Sequence, residues 1–219
     1  MTDEQRYREI YQRLQAAATD WQQTSMAPYE RQPFKALIAA MLSAATREEA
    51  TAAASEALFA FADTPQKVLA AGEERVMDAI RPASYYRNKT KYTLGISRQL
   101  VERHGGQVPN DLEALMDLPG VGHKVGTLVL HIAFGTDDHI VVDTHVDRIS
   151  KRLGIIPPTT KGTEKIAAAL QNELPRDMWG EWNALMVMFG RNICRARYPK
   201  CSQCPLLEVC PQIGVTDAK

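Results

Sequence analysis

This 219-residue chain has no net charge, no long apolar run and, over its first 193 residues, no cysteine. No stretch approaches the roughly 20 apolar residues of a membrane span, which excludes a transmembrane helix. The start, MTDEQRYREI, is polar and acidic where a secretory signal needs basic and then apolar residues, so a soluble, intracellular protein is expected. The β-branched run Ile140-Val141-Val142 is too short to found a sheet, and no Asn-Gly or Asp-Gly hairpin turn occurs. The 13 glycines and 12 prolines are scattered without a repeat, which excludes collagen-like and low-complexity classes. The 26 basic residues are balanced by 26 acidic ones, so the basic excess usual for a nucleic-acid partner is missing too.

What is present is helical periodicity. Tyr7, Ile10, Tyr11 and Leu14 recur at the spacing of one buried helical stripe. A proline-opened, Ala-rich helix is expected over residues 33–45, and another over 48–61. Asp63-Thr64-Pro65 caps a pair of short helices broken near Gly72, and a long helix over 87–104 ends at Gly105-Gly106. Asn110 through Glu113 fits a capping box with Asn at the cap, opening a helix over 112–117. Val125, Leu128, Val129, Ile132 and Ala133 form a further stripe, as do Val146, Ile149 and Leu153. Segments 163–174 and 177–190 complete an all-α chain.

Between two of these helices lies Leu118-Pro119-Gly120-Val121-Gly122-His123-Lys124. A tight Gly-x-Gly hairpin leaves backbone N–H groups exposed at the start of the second helix, where the dipole is positive: an anion cradle. The preceding strand and third glycine of a dinucleotide loop are absent, as is the Gly-Lys-Ser/Thr of a P-loop. A plain helix–helix turn fits the glycines alone. Lys124, however, sits in the first helical turn, where the dipole disfavours a cation and favours the free amine that a nucleophile needs. A phosphate bound at the same turn would act in the opposite sense. Asp143 precedes the Val146/Ile149/Leu153 helix and reads as an N-cap, a position that holds a carboxylate rigidly and is compatible with catalysis.

The four cysteines are spaced Cys194-x6-Cys201-x2-Cys204-x5-Cys210. Such compactness suits a [4Fe–4S] cluster. Zinc, which prefers two C-x2-C pairs, stays open because one such pair is present. The intervening loop carries Arg195, Arg197 and Lys200 and no acid, a basic patch suited to phosphate contacts.

Together, the Leu118–Gly122 hairpin, Lys124, Val142-Asp143-Thr144-His145 and the terminal cysteine spacing resemble the endonuclease III family of DNA glycosylases, over nearly the whole chain from Pro33-Phe34 to Cys210. The resemblance implies a two-lobed all-helical fold. One lobe is a six-helix barrel over residues 26–136 containing the helix-hairpin-helix; residues 1–25 plus 137–219 form a [4Fe–4S] lobe held by the four cysteines. It further implies a monomer that binds duplex DNA containing damaged bases or abasic sites in the cytoplasm, at the nucleoid in a bacterium, with no membrane partner. DNA would lie in a groove between the lobes where Lys124 and Asp143 face each other. The implied chemistry is removal of oxidised pyrimidines through Lys124, assisted by Asp143, followed by strand cleavage. Gly120, Val121, Gly122, Tyr85, His145, Arg195, Arg197 and Lys200 would contact DNA.

Two departures stand out. The family glutamine after Leu-Ser is missing from Leu42-Ser43-Ala44-Ala45-Thr46, and Tyr85 replaces a wedge leucine. With zero net charge, these changes lead us to expect weak DNA affinity and altered lesion or opposite-base preference. The competing readings are a monofunctional mismatch glycosylase, against which Lys124 argues, and a catalytically weak iron–sulfur module for DNA binding or redox sensing.

Overall fold

The computed structural model describes residues 2–219. Its described residues form eleven α-helices, joined by short 3-10 and π segments, and no strand. No helix is long and apolar enough to cross a membrane. The chain divides into two compact units, Ser25–Thr136 and Met1–Thr24 with Asp137–Lys219.

The chain's first helix, α1 (Asp3–Ala18), belongs to the second unit; the first unit is built around α2 (Pro33–Ser43). Phe34, Ala36, Leu37, Ile38, Ala39, Ala40, Met41 and Leu42 are all buried, the mark of a helix enclosed on every side. Packed against it are α3 (Glu48–Phe59), α6 (Tyr86–His104), α8 (His123–Val129) and the π-helical turn Leu130–Phe134. The short helices α4 (Pro65–Ala71) and α5 (Glu73–Ala79) pack on α6, and α7 (Leu112–Met116) packs on α8. Gly72, at φ 80°, separates α4 from α5 as expected. The cap of α7 differs from expectation. Asp111, not Asn110, accepts the Ala114 N–H at 2.8 Å, because a charged oxygen is the stronger acceptor for helix amides.

The second unit joins α1 to α9 (Thr144–Arg152), α10 (Thr163–Glu173) and α11 (Trp179–Asn192). The α1 stripe Tyr7, Ile10 and Leu14 is buried in a core with Val146, Ile149, Leu170, Trp182, Met186, Phe189 and Leu206. Each such side chain contributes about 1.5–3 kcal/mol on burial. Tyr11 lies at the edge of that core, and its hydroxyl donates to Glu181 at 2.8 Å. A Thr2/Gln5 capping box, unforeseen in the sequence, starts α1. Ile140, Val141 and Val142 are buried but form no strand.

Candidate nucleic-acid interface and catalytic residues

In the first unit the hairpin is shaped by what its glycines lack. Gly120 has φ 74°, and a Cβ there would lie 2.5 Å from the Tyr92 ring of α6, so both the backbone and its neighbour demand glycine. Gly95 of α6 likewise packs on Pro119. Gly122 is the N-cap of α8 and supplies no side-chain cap, leaving the first amides of α8 without a capping acceptor. Val121 is 6% exposed and its N–H donates to Leu118 O at 3.1 Å. Its side chain therefore anchors the hairpin in the core. Lys124 is the second residue of α8 and is half-buried, and its ammonium takes part in no hydrogen bond or ion pair among the described residues.

Tyr85, at the start of α6, is left-handed at φ 57°, and its ring is 71% exposed. A bulky residue in that conformation costs on the order of 1–3 kcal/mol and persists only when its surroundings enforce it. Exposed Arg47, Arg81 and Arg87 are close in sequence to this turn or to the adjoining 44–46 turn. In that second turn, where α2 stops at Ser43 short of the expected residue 45, Ala45 is left-handed at φ 52° and exposed.

Sequence reasoning missed Lys89. It is 5% exposed, and its ammonium donates to Leu42 O, Ala44 O and Thr46 Oγ1, each at 2.7 Å. Burial pushes its pKa down to about 8. The signal was present: Lys89 occupies the same helical face as buried Thr93, Ile96 and Leu100, where a lysine is out of place.

In the second unit Asp143 caps α9. Its Oδ1 accepts from His145 N at 2.8 Å and Val146 N at 2.9 Å, and neither bond uses Oδ2. The His145 ring turns inward: its Nδ1 lies 3.2 Å from Arg148 Nη2, and it packs closely on Gly190 of α11. His145 and Lys200 are half-buried, whereas Arg195 and Arg197 are exposed.

All four cysteines are free and line one pocket together with Arg152, Leu153, Phe189 and Ile193. Burial pushes the Cys204 thiol up to about 11 and raises Cys201 and Cys210 as well. Among the described residues no three His, Cys, Asp or Glu side chains converge closely enough for a single metal ion. A zinc ion at about 2.3 Å from each sulfur needs such convergence, whereas a multi-iron cluster spreads its ligands. Arg152 supplies the second observation. It is 8% exposed and has no carboxylate partner: Nη1 donates to Arg195 O at 2.6 Å and lies 3.5 Å from Cys194 Sγ, and Nη2 donates to Ala196 O at 3.0 Å. Arg148 Nη2 donates to Cys194 O at 3.0 Å. A buried cation facing a thiol fits an anionic, thiolate-held group.

Comparison with known proteins bears on this arrangement. Residues 38–176 match the HhH-GPD superfamily of base excision DNA repair proteins. Endonuclease III of Thermotoga maritima is 44% identical over 181 residues, covering 83% of this chain and 84% of that protein. The chain belongs to the endonuclease III family. The Bacillus subtilis endonuclease III is 36% identical over 187 residues, or 85% of this chain and 84% of that one. The solved structure of a trapped endonuclease III–DNA covalent intermediate superposes with a TM-score of 0.83 at 33% identity, covering 97% of both chains. As an endonuclease III homologue with the matching all-helical fold, the protein is a base-excision-repair DNA glycosylase.

Proposed function

We propose that this glycosylase is bifunctional, excising oxidised or ring-saturated pyrimidines from duplex DNA and then cleaving the strand as an AP lyase. The observation that carries the reading is Lys124, a half-buried amine in the first turn behind a Gly-x-Gly hairpin. The covalent DNA intermediate of its structural relative supports it. A damaged nucleotide is flipped from the stack, at a cost of a few kcal/mol that is smallest for a poorly stacked lesion. The Lys124 nitrogen bonds to the sugar C1′ as the glycosidic bond breaks, and its electron pair leaves with the base, which takes up a proton. Opening of the sugar ring gives an imine. Loss of a C2′ proton to a base then expels the 3′ phosphate with the electrons of its C–O bond. Asp143 assists deprotonation of Lys124 and stabilises positive charge on the sugar. The amides opening α8 grip a phosphate, and Arg195, Arg197 and Lys200 add sequence-independent backbone attraction. Tyr85 stacks on bases.

Cys194, Cys201, Cys204 and Cys210 would hold a [4Fe–4S] cluster. Held there, it would brace the basic loop, while the bond-breaking steps belong to Lys124 and Asp143. The protein acts as a monomer in the cytoplasm, at the nucleoid of a bacterial host. The Ala44-Ala45-Thr46 turn and Tyr85 underlie a lesion or opposite-base preference distinct from that of glutamine- and leucine-bearing relatives.

Borohydride treatment during incubation with thymine-glycol and abasic duplexes tests this directly. The wild type is expected to become covalently attached to cleaved DNA, and Lys124→Ala to give none. Base release without attachment would establish a monofunctional enzyme instead, and binding without either would overturn the catalytic reading.

A further inference from the structure

The family reading assigns no role to the buried cation of α6. Lys89 presents three protons to three acceptors, all on the 42–46 segment that follows α2: Leu42 O, Ala44 O and Thr46 Oγ1. The same Thr46 Oγ1 accepts from Ser84 N at 3.2 Å, on the turn that leads into Tyr85. Two turns far apart in sequence are therefore stitched together through one ammonium and one hydroxyl. Each turn carries one exposed, left-handed residue, Ala45 at φ 52° and Tyr85 at φ 57°. Such conformations hold only where the surrounding bonds over-determine them, and Lys89 supplies those bonds on the Ala45 side.

We propose that Lys89 is a positioning residue, tying the Ala44–Thr46 turn to the start of α6 and thereby fixing Tyr85 as the ring that stacks where a nucleotide has been flipped out. This deepens the reading above and rests on it. A second consequence concerns chemistry at the same rim. Ala44 O and the Thr46 hydroxyl are occupied by Lys89, and Thr46 N donates to Ser43 O at 3.1 Å. At its exposed tip the turn offers the duplex the Ala45 methyl group. The base opposite the lesion is accordingly met by an aromatic face, which stacks on any base.

The test compares wild type, Lys89→Met, Tyr85→Ala and the double variant on an abasic duplex carrying 2-aminopurine opposite the gap, and on a single-stranded abasic oligonucleotide. Quenching of 2-aminopurine reports the stacked ring; borohydride trapping on the single strand reports Lys124 chemistry without an opposite strand. Wild type is expected to quench. Tyr85→Ala and Lys89→Met should each lose the quench and about tenfold in duplex affinity, the value of one base–aromatic stack, and Lys89→Met should keep single-strand trapping within about twofold because Lys124 is untouched. The double variant should be no worse than either single one, since coupled residues are not additive. Thr46→Val, which removes the shared hydroxyl but leaves Lys89 in place, should weaken the quench in the same direction and carries the test if Lys89→Met does not fold. Wild-type quenching retained in Lys89→Met, equal losses on both substrates, or multiplicative effects in the double variant would overturn the positioning role. Absence of wild-type trapping alongside a normal quench would instead remove the lyase reading and leave the positioning role standing.

Discussion

Both units bury a cation without a carboxylate beside it, and they do so to different ends. In the hairpin unit, the three protons of Lys89 meet three oxygens, so the group is complete and its work is to hold turns together. In the cysteine unit, Arg152 gives its protons to carbonyls of the cysteine loop yet still faces Cys194 Sγ. Hydrogen bonds are satisfied there but charge is not. A buried cation with a full set of neutral acceptors is architecture, whereas one that also faces sulfur fits a site for an anionic group.

The largest effect expected from this contrast is at Arg152. In metal-loaded protein, Arg152→Met should cost about 3–5 kcal/mol, the range for breaking a buried charge pair, with loss of visible absorbance on heating. In metal-free protein the same substitution should cost far less, because no anion is left unpaired. Equal losses in both forms would erase the distinction between the two cations.

A moderate effect separates shape from function in the hairpin. Gly120→Ala should destabilise by about 2–3 kcal/mol, combining a left-handed penalty of roughly 1–2 kcal/mol with the crowding of Tyr92. Gly122→Ala, at φ −98° with nothing near the added methyl, should leave the melting temperature nearly unchanged. Its test is DNA affinity, which should fall if a phosphate sits on those amides.

The smallest effect is a pH signature of opposite sign in the two units. The folded pKa of Lys89 is about 8 against an ordinary 10.5, so the unfolded chain binds more protons between those values and stability gains from this group as pH rises through them. Burial and Glu173 push Tyr7 up to about 12 from 10.0, so its contribution is whole below pH 10 and is lost as pH climbs toward 12. Denaturant titrations of wild type and Lys89→Met at pH 8, 9.5 and 10.5 should show the gain in wild type alone. Tyr7→Phe should flatten the loss above pH 10.

Much of the architecture was legible because burial is periodic. The α1 stripe, the α9 stripe and the break at Gly72 follow from spacing alone. The hairpin, Lys124, Asp143 and the cysteine spacing were legible as local motifs. What escaped was long-range. Lys89 bonds to carbonyls more than 40 residues away, and no spacing rule records such a bond, so the early stop of α2 and the left-handed Ala45 went unforeseen. Arg152 was hidden in the same way, because its partners lie 42–44 residues downstream. The packing of the His145 ring on Gly190 of α11 is long-range in the same sense. The choice between Asn110 and Asp111 turned on one residue of register, which capping rules do not resolve when both candidates are good acceptors.

Helix α6 touches Gly120 through Tyr92 and begins at Tyr85, so hairpin and ring are mounted on one rod about 10 Å apart along its axis, seven residues at 1.5 Å each. A rod of that kind does not bend to suit its cargo. The deformation must come from the nucleic acid, and flanking sequences that kink cheaply, such as TA and CA/TG steps, should be engaged ahead of stiff A-tracts.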